Sequence, residues 1–179
     1  MQITNAYALL GYVRSLDMAI CQLFNRANRR YFLGRFFAVI SRLGDGVFWY
    51  MLMLLLPLIH GMQAAYASLH MLATAMVCLV VYKQLKERTS RPRPYLHSDA
   101  IFRTVPPLDK YSFPSGHTLH AVAFTVVLFS WYPATAWLVL PFTILVAASR
   151  LVLGLHYPSD VLAGAVIGGV IAWLSIQII

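Results

Sequence analysis

The stretch 149–160, SRLVLGLHYPSD, sets Arg150, His156 and Asp160 between two apolar runs of a chain that is only 11% charged. Ionisable groups at such a place are costly unless they are used. A histidine and an aspartate together can make a nucleophile. A carboxylate hydrogen-bonded to one imidazole nitrogen fixes the tautomer and raises the nucleophilicity of the other. Arg150 adds a planar fork suited to phosphate oxygens. Pro158 argues against a continuous helix through the pair, so a turn must bring His156 and Asp160 together. Taken alone, a His/Asp pair at a helix boundary is a weak sign.

Two further polar clusters suit the same chemistry. In FPSGHT, residues 113–118, proline, serine and glycine directly precede an apolar run, which predicts a helix start with Ser115 as its N-cap. Free N–H groups and the positive end of the helix dipole favour an anion there, and Gly116 would let it approach the main chain. His117, in the first turn, is placed to give a proton to a leaving oxygen. In KERTSRPRP, residues 86–94, Lys86 and its neighbouring arginines, stiffened by Pro92 and Pro94, offer several donors to one anion. Each cluster also has a plainer reading. The first of these two could be an ordinary capped helix with an interfacial histidine, and the second a juxtamembrane basic patch on lipid headgroups.

The elements that would carry these clusters are membrane spans. The chain has 179 residues, 60% of them hydrophobic, and a mean hydropathy of +0.69. A soluble domain of this size has no interior for so much apolar surface, whereas a bilayer supplies apolar solvent for it. Uncharged runs lie at 46–63, 64–82, 118–132, 134–149 and 161–179. The short turn near His60–Gln63 makes the first two an antiparallel hairpin. Residues 15–42 mix apolar positions with Arg26, Arg29, Arg30, Arg35 and Arg42, as helices lying in the membrane interface do. The expected fold is all-α, a polytopic membrane helix bundle of five to six spans with an N-terminal amphipathic interfacial helix region.

This is read as one domain over 1–179, divided into the interfacial segment 1–43 and the bundle 44–179. Gly164 and Gly168, four apart, predict close helix contact within the bundle. Cys21 and Cys78 are read as buried, unpaired thiols. The opening residues MQITNAYALLGYVR lack a basic n-region and a clear cleavage site, so no removable signal peptide is read there. The net charge of +8 sits at the ends of apolar runs rather than on a soluble basic face. That points to anionic headgroups or phosphorylated substrates and away from nucleic acid.

Antiparallel connectivity puts the helix ends at Lys86, Ser115, Arg150 and Asp160 on one membrane face, so the three clusters converge. Lys86-x6-Arg93-Pro94, Pro114-Ser115-Gly116-His117 and Ser149-Arg150-x5-His156-x3-Asp160 then resemble the three signature motifs of the type 2 phosphatidic acid phosphatase superfamily. The likeness extends to order, spacing and placement over residues 86–160. Arg91-Pro92 is a second Arg-Pro, and the family spacing from Lys86 selects Arg93. The resemblance implies a membrane lipid phosphatase working through a phosphohistidine, with catalytic loops in 86–117 and 149–160. It implies His156 as nucleophile, Asp160 as the residue that orients and polarises it, and His117 as general acid. Lys86, Arg93, Ser115, Gly116 and Arg150 are implied to hold the phosphate. No metal and no other cofactor is implied, in keeping with only six Asp and Glu in the chain. His60, His70, His97 and His120 are read as packing, interfacial or loop histidines, and Asp99 and Asp109 as loop residues without a required role.

Within the family, the resemblance is to small bacterial undecaprenyl-diphosphate phosphatases and phosphatidylglycerophosphate phosphatases. Undecaprenyl diphosphate is favoured because the compact loops leave no domain for a large headgroup. Phosphatidylglycerophosphate, phosphatidic acid and lipid A phosphatases are the alternatives. Vanadium-dependent haloperoxidases share the fold family but are soluble and larger, and the apolar spans count against them. A non-enzymatic lipid-binding membrane protein is opposed by the intact signature residues. The expected partners are a lipid phosphate and the bilayer, with monomer and homodimer both open. All 14 Lys and Arg fall on the catalytic face or in the N-terminal segment. By the positive-inside rule that puts the site in the cytoplasm. The resemblance implies instead the outward, periplasmic face of the cell (inner) membrane, which is the reading favoured here.

Overall fold

The computed structural model describes residues 2–179, with side chains described from Gly11 onward. Seven α-helices follow one another, with no strand among the described residues: α1 (Gln2–Asn25), α2 (Tyr31–Arg42), α3 (Phe48–His60), α4 (Ala65–Thr89), α5 (Gly116–Trp131), α6 (Pro133–Val152) and α7 (Pro158–Ile176). Local chemistry sets several boundaries. α6 and α7 open on Pro133 and Pro158, at first-turn positions where a missing N–H leaves no bond unmade. α5 starts behind Ser115, whose Oγ accepts the Thr118 N–H at 3.5 Å, so the predicted N-cap is present. Gly46, at φ 134°, bends the wide turn Leu43–Val47 through which α2 runs on into α3.

Tyr31–His60, Met62–Leu96, Pro133–Val152 and Pro158–Ile176 are each long and apolar enough to cross a membrane, and α5 is a shorter apolar helix of 16 residues. The molecule is thus the polytopic helix bundle that its composition demands. Leu58, Leu138, Leu162 and Val170 face outward, where lipid tails take the place of water. Trp49, Leu56, Met71, Leu119, Leu128 and Val146 are buried between the helices. In a bilayer such contacts stabilise by close packing rather than by leaving water.

α5 is the central helix, packed on α4, α6 and α7. Its approach to α7 depends on two glycines. A Cβ at Gly164 would stand 2.6 Å from the Ser115 carbonyl oxygen, and one at Gly168 would stand 2.9 Å from the Leu119 carbonyl carbon. The spacing read from the sequence therefore serves packing within the bundle. That contact also joins two of the polar clusters, because the Ser115 N–H donates to the Asp160 carbonyl at 3.0 Å. The loop after α4 is held from the N-terminal side. Asn25 Nδ2 donates to the Phe102 and Val152 carbonyls at 2.8 Å, and the Phe102 N–H returns a bond to Asn25 Oδ1 at 2.7 Å.

Candidate active site

Lys86, Arg93, Gly116, His117, Arg150 and His156 line one cavity of about 460 Å³. They come from the end of α4, the loop after it, the start of α5, the end of α6 and the turn before α7. The convergence expected from connectivity is therefore present. Trp49, Met53, Leu72, Met76, Leu79 and Phe124 also line it, further along α3, α4 and α5, so a charged end passes into an apolar one.

His156 is fixed by its surroundings. Pro158 ends any helix through the turn, and Gly154, at φ 68°, provides the reversal that returns the chain to α7. Arg93 Nη1 lies 3.3 Å from His156 Nε2 and also donates to the Leu155 carbonyl at 2.7 Å. A guanidinium can only donate, so Nε2 accepts and the neutral ring carries its proton on Nδ1. Burial, together with the charges of Arg150, Arg93 and Lys86, holds the His156 imidazole well below the ordinary histidine range. Its Nε2 is therefore unprotonated at neutral pH, with the lone pair turned to Arg93 Nη1.

Asp160 departs from the expected arrangement. Its Oδ2 stands 3.7 Å from His156 Nδ1, too far for a hydrogen bond. That oxygen instead accepts the Tyr157 N–H at 2.9 Å, capping α7, while Oδ1 takes Arg91 Nη1 at 2.6 Å. Among the described residues, His156 Nδ1 has no hydrogen-bond partner. Asp160 is fully buried behind the histidine and is not part of the cavity wall. Ser115 is fully buried as well, with its hydroxyl 3.0 Å from that of Thr118, so its side chain serves the helix start and does not reach the cavity.

Lys86 and Arg93 are held by an anion to which the sequence assigned no role. Asp109 Oδ1 accepts Lys86 Nζ at 2.7 Å and Arg93 Nη2 at 2.6 Å. Burial pushes the Asp109 carboxyl up, but its hydrogen bond with Lys86 and the charges of Lys86 and Arg93 outweigh that and hold it below the usual carboxylate range. Asp45, from the wide turn between α2 and α3, stands 3.7 Å from His117 Nε2. Arg150 donates through Nη1 to Ser41, and its Nε has no partner among the described residues. Arg93 is in the cavity and Arg91 is not, which agrees with the spacing from Lys86. Both cysteines are free and buried, and burial with nearby Asp160 and Asp17 pushes the Cys21 thiol up to about 12.

His60, His70 and His120 have structural partners. His60 stacks on Tyr132, His70 bonds Ser175 at 2.9 Å and takes the Trp131 N–H at 3.0 Å, and His120 bonds the Gly116 carbonyl at 2.8 Å.

Lys86, Arg93, Arg150, His117 and His156 thus line one cavity of a membrane helix bundle, an arrangement whose donors suit an anionic group. Residues 63–179 match the model of the PAP2 superfamily, and the protein belongs to that family. The undecaprenyl-diphosphatase of Sulfolobus acidocaldarius is 32% identical over 104 residues, which are 58% of this chain and 50% of that one. The lipid A 1-phosphatase of Rhizobium etli is 31% identical over 121 residues, 64% of this chain and 51% of that one. The chain spans about half the length of these curated relatives. The crystal structure of Aquifex aeolicus LpxE superposes with a TM-score of 0.79 at 26% identity, covering 90% of this chain and 95% of that one. The first transmembrane PAP2-type phosphatidylglycerolphosphate phosphatase from Bacillus subtilis gives 0.76 at 26% identity, with coverage of 93% and 86%.

Proposed function

We propose that the protein is a membrane lipid phosphatase acting on a phosphomonoester or diphosphate of a membrane lipid, with undecaprenyl diphosphate as the preferred substrate. The observation that carries this is the single cavity in which Lys86, Arg93 and Arg150 face His156 and His117 against an apolar wall. The cations hold the phosphate oxygens, helped by the main chain at Gly116. His156 Nε2 attacks phosphorus, and the bond from phosphorus to the leaving oxygen breaks as His117 gives that oxygen a proton. Water then cleaves the P–N bond of the phosphohistidine, releasing inorganic phosphate and restoring the imidazole. Charge spread over the equatorial oxygens in each transition state is met by the three side-chain cations, so the step as written needs no metal. Asp160 acts through His156, from behind it.

A substrate with its phosphate in the headgroup layer and a long hydrocarbon tail suits a cavity that is charged at one end and apolar at the other. Compact loops favour a polyprenyl diphosphate over a lipid with a bulky headgroup. The site is proposed to face outward. The test is phosphate release by purified protein, in EDTA, from undecaprenyl diphosphate, phosphatidylglycerophosphate, phosphatidic acid and a lipid A phosphate. Release is expected from the first at the highest kcat/KM, and His156→Ala is expected to abolish it. Undiminished release by that variant would overturn the assignment of the nucleophile.

A further inference from the structure

On the side away from the cavity, His156 is backed by a chain of charges that begins in α1, outside the three signature clusters. Asp17 is only 6% exposed. Its Oδ2 accepts Arg91 Nη2 at 2.8 Å and the Ser159 hydroxyl, and its Oδ1 accepts the Ser159 N–H at 3.0 Å. Arg91 Nη1 donates onward to Asp160 Oδ1 at 2.6 Å and to Ser159 Oγ at 2.7 Å. The same guanidinium lies 4.0 Å over the Tyr157 ring, which locks the plane of the fork. Asp160 is thereby held at both oxygens, with Oδ2 turned toward His156 Nδ1.

Charge decides what this chain can do. A lone Arg91–Asp160 pair would be neutral and would offer little to an imidazole. Asp17 restores one net negative charge to the trio of Asp17, Arg91 and Asp160. When Nε2 takes a phosphoryl group the ring becomes cationic, and its Nδ1–H becomes a stronger donor toward the carboxylate. Closing the 3.7 Å separation to a hydrogen bond then requires a movement of about 0.5–1 Å. The other groups facing His156 are Lys86 on α4, Arg93 and Asp109 on the loop, His117 on α5, Arg150 on α6 and Cys21 on α1. The cations among them crowd the cavity side, where Asp109 opposes them, and the negative trio opposes them from behind the ring.

Resting on the reading of His156 as phosphoryl acceptor, we infer that Asp17 and Arg91 are positioning residues for the reaction. They hold the Asp160 carboxylate toward Nδ1 and keep that side of the imidazole negatively charged as the phosphohistidine forms. α1 is then part of the catalytic apparatus as well as a fastener of the bundle.

The test pairs two readouts on the full chain in detergent micelles. One is a 15N-histidine NMR titration, with His156→Ala identifying the resonance, and the other is steady-state phosphate release from undecaprenyl diphosphate. Arg91→Gln removes a positive charge beside Asp160 and raises the His156 midpoint, whereas Asp17→Asn removes a negative charge and lowers it, each by about 0.5–1 pH unit. Both lower kcat about 10- to 100-fold, the scale of a 1 Å misplacement, with KM changed less than about threefold. Arg91→Lys keeps the charge without the fork, so it lowers kcat while leaving the midpoint near that of the wild type. A mere fastener would move both midpoints in one direction or move neither, and either result overturns the inference. The titration needs no turnover, so the two failures are separable. Opposite shifts in a protein that releases no phosphate sink the phosphatase reading, whereas an active protein with unmoved midpoints sinks the relay.

Discussion

One oxygen of Asp109 takes both Lys86 and Arg93, at 2.7 and 2.6 Å, the two donors proposed to hold phosphate. In the proposed reaction an incoming phosphate and this carboxylate would therefore compete for the same donors. The Asp109 side chain is 37% exposed, so water screens the contact and the competition is modest. Asp109→Asn is expected to tighten inhibition by orthovanadate about fivefold, the worth of roughly one hydrogen bond of 1 kcal/mol. Weaker inhibition in the variant would show that Asp109 organises the cations instead of competing for them. Nothing in the sequence marked this residue. Lys86, Arg93, His117, Arg150 and His156 were legible because fixed spacings tie them to helix ends. Asp109 lies in an irregular loop, where no periodicity tells which way a side chain turns. Asp45 and Asp17 were missed for a related reason: each sits alone in a helical segment with no motif around it.

At the level of the helices, the position of His117 depends on how closely α5 approaches α7. A Cβ at Gly168 would stand 2.9 Å from the Leu119 carbonyl carbon and 3.1 Å from its Cα, and neither backbone atom can yield without moving α5. A Cβ at Gly169 would meet Val122 Cγ1 at an ordinary 3.8 Å. Gly168→Ala is expected to destabilise the protein by about 1–3 kcal/mol, as overpacking does, and Gly169→Ala to change it little. Thermal unfolding in one detergent compares the two, and equal melting temperatures would sink this account of the helix contact. Gly164 and Gly168 announced the contact by their spacing alone, and the apolar runs announced the spans. What the sequence did not disclose is the conflict at Asp160. Capping α7 and pairing with Arg91 both draw on the carboxylate expected to bond His156, and the capping bond to the Tyr157 N–H won Oδ2.

For the whole molecule, the distribution of charge and the proposed outward site pull in opposite directions. Lys86, Arg93 and Arg150 are accounted for by the site itself and say little about sidedness. Arg26, Arg29, Arg30, Arg35 and Arg42 lie outside the cavity and are not discounted so readily. The turn before α2 is tied to the cavity end of the bundle, since Arg29 donates to the Ala100 carbonyl at 3.0 Å and Asn28 to the Phe102 carbonyl at 2.6 Å. An outward site therefore carries its basic segment outward with it, against the usual bias. The structure supplies a clean test, because both native cysteines are buried and leave a quiet background for labelling. Asp99 is exposed in the loop that follows α4, and Met62, 79% exposed, lies in the turn before α4, at the other end of that helix. With an outward site, Asp99→Cys reacts with a membrane-impermeant maleimide in intact cells, and Met62→Cys reacts only after permeabilisation. The reverse pattern would place the cations and the histidines in the cytoplasm and leave the positive-inside rule unbroken.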